Sequence, residues 1–149
     1  MTALAQNGLH ESADQKVMNL VARHTSTIYV LDSERIVLTT LQGFLADLGF
    51  AVETFASLTA LGPEQPDHDS AVDVILLDPS LPGQTSGQVL RALRGRFPKA
   101  ALVVMTGVSG VLPLAEAVSQ GVYAYLNKPI RLGELELLLL RILESRASS

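Results

Sequence analysis

The sequence predicts an α/β domain built on a doubly wound parallel sheet, and three observations predict it. Short apolar runs alternate with stretches of helical periodicity, which is the pattern of βαβ units. The central run, Val74 to Leu77, is continuously apolar rather than alternating, as in a strand covered on both faces. It ends abruptly at Asp78 and breaks into a Pro/Gly loop, Pro79 to Gly83. Pro79 biases Asp78 toward extended geometry and Pro82-Gly83 turns the chain away, so a carboxylate is left at the strand edge where open α/β sheets bind ligands.

Residues 1–26 are polar and weakly patterned, and read as an N-terminal extension before a domain at 27–147. Ser12 with Gln15 resembles a capping box, and Val17, Leu20 and Val21 have helical spacing. A short amphipathic helix lying on its own domain or on a neighbouring chain is one reading; a flexible leader is the plainer one. A strand over 28–31 follows. Ser33 then fits an N-cap for a helix over 34–48, whose Val37, Leu41, Phe44, Leu45 and Leu48 share a face and which Gly49 closes. A second strand spans 50–55 and a short helix lies near 57–61. The stretch 62–70, with two prolines and three acidic residues, reads as surface loop. A strand at 72–77, a helix over 86–96 stopped by Phe97-Pro98, and a strand at 101–105 come next. A helix over 112–120 closed by Gly121, a strand at 122–126 and a last helix over 132–145 complete the chain. Leu135, Leu138, Leu139 and Ile142 line one side of that last helix. Right-handed crossovers then give a flavodoxin-like (βα)5 sheet with strand order 2-1-3-4-5.

Composition narrows the function. A chain of 149 residues, 48% hydrophobic and free of cysteine, holds one domain with a real core and fits a cytoplasmic protein without disulfides. The first ten residues carry no Lys or Arg, and the longest later apolar run is far too short to span a bilayer, so neither export nor a membrane role is expected. Eleven basic residues against 15 acidic ones are scattered rather than striped, which argues against direct nucleic-acid binding. Three dispersed histidines, His10, His24 and His68, disfavour zinc.

In the 2-1-3-4-5 order, strands one and three are neighbours at the switch point. Asp32, after strand one, therefore faces Asp78, with Thr106 after strand four and Lys128 past strand five alongside. Taken singly, these are a loop carboxylate, a strand-end hydroxyl and a solvated lysine. Together they are far more specific. The segments YVLDSE at 29–34, VILLDPSLPG at 74–83 followed by Ser86-Gly87, VVMTG at 103–107 and GVYAYLNKPI at 121–130 resemble the receiver domain of two-component response regulators. The resemblance covers 27 to about 146.

It implies that Asp78 is the phosphoacceptor, Thr106 the switch hydroxyl, Tyr125 the switch aromatic and Lys128 the phosphoryl-stabilising lysine. It also implies a cis Lys128-Pro129 bond, and a Mg²⁺ held by Asp32, Asp78 and the backbone carbonyl of Ser80. The chemistry agrees: a carboxylate can take a phosphoryl group as nucleophile, and the transfer needs a divalent cation and a fixed positive charge more than proton movement. One position departs from the family, which usually has a second acidic residue where this chain has Ser33. A neutral hydroxyl there weakens Mg²⁺ binding, whereas Glu34 either reaches the metal or only favours the first turn of its helix.

The expected function is phosphoryl acceptance from a sensor histidine kinase or phosphotransfer protein, passed to a downstream effector by protein contact. No enzymatic activity is expected beyond self-catalysed acceptance. A degenerate receiver serving as a phosphorylation-independent interaction module is the alternative. A flavodoxin-like cofactor binder is weaker, because no glycine-rich loop follows strand one. The face formed by the fourth helix, fifth strand and last helix is where the resemblance places a homodimer.

Overall fold

The computed structural model describes residues 12–23, 26–107 and 120–147. The helix expected over 112–120 lies, but for its last residue, outside them. Five parallel strands, β1 (Thr27–Leu31), β2 (Ala51–Phe55), β3 (Val72–Leu77), β4 (Ala101–Thr106) and β5 (Val122–Asn127), form one sheet in the order β2-β1-β3-β4-β5. The expected topology holds. Residues of β1, β3 and β4 alternate between two cores: Ile28, Val30, Val74, Leu76, Val103 and Met105 point one way, and Tyr29, Leu31, Ile75, Leu77, Leu102 and Val104 the other. Continuous apolar runs are what such double coverage demands.

The first core lies beneath α1 (Ala13–Arg23), α2 (Arg35–Asp47) and α5 (Leu132–Ala147). The second includes Val89, Leu90 and Leu93 of α4 (Ser86–Arg96), a helix opened by a full capping box between Thr85 and Gln88. Gly49, at φ +104°, closes α2. Leu41 and Leu45 are buried on the expected face of that helix, with Leu48 beyond its end, and Val37 and Phe44 pack partly against them.

Three local expectations need correction. Ser33 is not the N-cap of α2: Glu34 is, with no side-chain cap bond, and the Asp32 carboxylate accepts the Glu34 amide at 2.8 Å in a turn just ahead of the helix. The stretch 62–70 is not all loop. Pro66 opens α3 (Pro66–Asp69), whose Asp69 is buried against Arg96 at 2.9 Å, while Arg96 also donates to the carbonyls of Gly62 and Pro63. At the N-terminus, Ser12 caps α1 by accepting the Gln15 amide, but the Gln15 side chain turns to Asn19 and leaves the capping box half made.

The leader is no loose tail over 13–23. Val17 and Val21 are buried in the first core, α1 packs along α5, and Val21 sits close enough to Gly49 that a Cβ there would meet its Cγ1 at 3.3 Å. The apolar surplus of the last helix, Leu140 and Leu143 included, belongs to that same core.

Candidate functional site

Strands β1, β3 and β5 each hand their following residue to the same rim by one more ladder bond. Asp32 donates its amide to Phe55 O at 3.1 Å, Asp78 to Leu31 O at 2.9 Å, and Lys128 to Thr106 O at 2.8 Å. The register Leu31↔Leu77 makes Asp32 and Asp78 neighbours. The Lys128-Pro129 bond is cis, as the resemblance implies.

Lys128 Nζ stands among three carboxylates, 2.6 Å from Asp78 Oδ2, 2.7 Å from Asp32 Oδ2 and 3.0 Å from Glu34 Oε1. Ser80 closes the other side, its amide donating to Asp78 Oδ1 at 2.9 Å and its hydroxyl at 2.6 Å. Burial alone would push the Asp78 carboxyl up, but the bonds from Lys128 and then Ser80 hold it below the usual carboxylate range. It is poised as an anion. In Asp32 burial wins over the Lys128 and Glu34 bonds and raises the carboxyl, with the Asp78 charge adding to the rise. For Lys128 the balance reverses: burial would lower it, yet the bonds to Asp32, Asp78 and Glu34 raise it, and the ammonium is permanently charged.

The sheet thus gathers Asp32, Asp78 and Lys128 as expected, and adds Glu34. Thr106 is at the same rim, but its hydroxyl meets Asn127 Oδ1 at 3.4 Å, and Tyr125 stands 42% exposed on β5. The Ser80 side chain, as distinct from its carbonyl, was not legible as a site group. The Asp-x-Ser spacing is its only signal, since a residue two after an aspartate commonly donates back to it. An apolar cavity of about 540 Å³, with Ile36, Val37, Pro129 and Ile130 in its walls, opens beside Glu34 and Lys128.

The residues fit a divalent cation. Carboxylate oxygens of Asp32, Glu34 and Asp78 lie within 4.8 Å of one another, a hard oxygen set of the kind Mg²⁺ prefers. Asp32 Oδ2 is fully buried, with the Lys128 ammonium against it at 2.7 Å.

A doubly wound sheet with a carboxylate pair and a lysine at its switch point defines a class of phosphoryl-accepting signalling domains. The sequence profile of the response regulator receiver domain matches residues 28–140, and the chain belongs to that family. The DNA-binding transcriptional regulator NtrC of Salmonella typhimurium is 29% identical over 111 residues, which are 72% of this chain and 22% of NtrC. TorR of Escherichia coli is 30% identical over 108 residues, 72% of this chain and 46% of TorR. The chain thus spans less than half the length of these relatives. A CheY-like receiver from Methanospirillum hungatei superposes with a TM-score of 0.72 at 19% identity, covering 84% of this chain and 98% of that one. A Clostridium thermocellum receiver gives 0.69 at 23%, covering 82% and 97%. Aspartate phosphorylation and Mg²⁺ are typical of the family. No helix among the described residues is long and apolar enough to cross a membrane.

Proposed function

We propose that this protein accepts a phosphoryl group on Asp78 from a sensor histidine kinase or phosphotransfer protein and signals through changed protein contacts. The contact of Lys128 with both Asp78 and Asp32 is the observation that carries the reading. An Asp78 oxygen forms the new bond to phosphorus as the phosphorus–nitrogen bond of the donor's phosphohistidine breaks, its electron pair staying on the imidazole. Lys128 then faces the phosphoryl oxygens, and Asp32 stays ionised beside it. Asp32, Asp78 and the Ser80 carbonyl would hold Mg²⁺, which when bound neutralises charge developing on the transferred group. With Ser33 in place of a second acid, that affinity is lower than in a two-acid site.

Thr106 is the hydroxyl that moves from Asn127 to the phosphoryl group, and Tyr125 the aromatic that follows it inward. Tyr123, Tyr125 and Leu137, all exposed, suit a homodimer or effector contact on the face of β5 and α5. In this reading 27–147 is the receiver, 1–26 its extension, and the cytoplasm its location. Ser33 is also what favours the second reading, an interaction module that no longer takes phosphate. Acetyl phosphate with and without Mg²⁺, followed by intact-mass measurement, separates the two. A gain of one phosphoryl group, abolished by Asp78→Asn, is expected; no gain at saturating Mg²⁺ leaves only the interaction module.

A further inference from the structure

Three carboxylates face one ammonium at the rim, so the pocket formally keeps two negative charges. The carboxylates are not equally free to move. Asp32 is fully buried and tied through Oδ1 to the Glu34 amide, and Asp78 is held on both oxygens by Ser80 and Lys128. The Glu34 side chain is 58% exposed, carries one more rotatable bond than an aspartate, and is paired with Lys128. As N-cap of α2 its side chain makes no cap bond. Ser33 beside it is exposed and carries no charge.

Resting on the phosphoacceptor reading above, we infer that Glu34 is a two-position carboxylate. It holds Lys128 over the acceptor when no metal is bound, and turns to the divalent cation when one binds, leaving Lys128 for the phosphoryl oxygens. The buried Oδ2 of Asp32 has the Lys128 ammonium against it, so a cation arriving there competes with that ammonium, and Glu34 is the carboxylate whose oxygen reaches the cluster from solvent. Exchange of an exposed side chain between rotamers costs little. Glu34 thus makes up part of what Ser33 lacks. It also links metal arrival to release of the lysine, so the pocket is not left doubly clamped when the donor approaches.

The test is Mg²⁺ titration of the full chain by calorimetry, independent of phosphorylation. Glu34→Gln keeps the shape and removes the charge; it is expected to weaken Mg²⁺ about tenfold or more, the scale seen when a supporting group of a metal site is lost. Ser33→Asp combined with Glu34→Gln should return the affinity to near the parent value, a rescue that a helix-end role would not give. Lys128→Met should tighten Mg²⁺ in the parent chain and by a smaller factor in the Glu34→Gln chain. Affinity within twofold of the parent after Glu34→Gln overturns the metal role, and an equal Lys128→Met gain in both backgrounds overturns the handover. Either failure with Asp78 still phosphorylated leaves the proposed function standing. Absence of phosphoryl gain with a normal titration removes that function instead.

Discussion

The acceptor rim and the N-terminal helix are held in place by opposite means. Asp32, Asp78 and Lys128 stand far apart in the chain, and their backbones extend strands of one sheet, β1 and β3 buried on both faces and β5 at its more exposed edge. Their positions follow from the sheet. Helix α1 is attached at the edge of the same core by Val17 and Val21, with Leu20 partly buried. An isolated helix of 11 residues is marginal in water, so α1 stays helical because it is docked. The carboxylates of the rim thus rest on the buried middle of the sheet, whereas the extension rests on its packing along α5 and against Gly49.

The heaviest blow to that contrast is a cavity under the rim. Leu76, fully buried in β3 two residues before Asp78, should cost about 2–5 kcal/mol when cut to alanine, read by circular dichroism during urea unfolding. The loss should appear in one cooperative transition. A cost below about 1 kcal/mol would mean that the rim does not depend on the packing of β3.

Trimming the extension should do less and do it locally. Val17→Ala and Val21→Ala each remove two buried methyl equivalents, about 1.5 kcal/mol apiece at roughly 0.8 kcal/mol per group. Hydrogen exchange followed by mass spectrometry should show α1 amides losing protection while β1 and β3 keep theirs. If the strands lose protection in step with α1, helix and sheet are one cooperative unit and the contrast fails.

What the sequence made legible follows the same division. Strand and helix alternation, the ranges of β3 and α4, and the meeting of Asp32, Asp78 and Lys128 rest on periodicity and topology, which act on every residue of an element. What stayed hidden depends on one partner distant in the chain. Asp69 lies in an acidic, proline-bearing stretch and is buried only because Arg96, 27 positions on, meets it. Glu34 is 94 positions from Lys128, so whether it was a helix-end charge or a site group could not be read from its neighbours. The start of α2 falls one residue later than a Ser33 cap implies, with the Asp32 carboxylate engaging the Glu34 amide in a turn ahead of the helix. The fate of α1 depended on where α5 and Gly49 would lie, and no local pattern states that.

The smallest expected effect is a pH dependence confined to the extension. Glu136 on α5 is pushed up to about 7 by burial, then by a side-chain hydrogen bond to Asp14 of α1 and by its charge; among the described residues no other group contributes to the shift. The docked helix therefore favours the protonated carboxyl. Its contribution to docking is complete below the ordinary glutamate value and is lost as pH rises toward and through 7, when two carboxylates face each other across the contact. In ¹H–¹⁵N spectra recorded between pH 5 and 8, α1 amide signals should move toward those of the Val17→Ala, Val21→Ala chain as pH rises, while β1 and β3 signals stay. Glu136→Gln should flatten that response, because an amide keeps the hydrogen bond without the charge. Signals of α1 that stay fixed across the window, or that move equally in Glu136→Gln, would remove the carboxyl pair as a determinant of docking and leave the two valines as its basis.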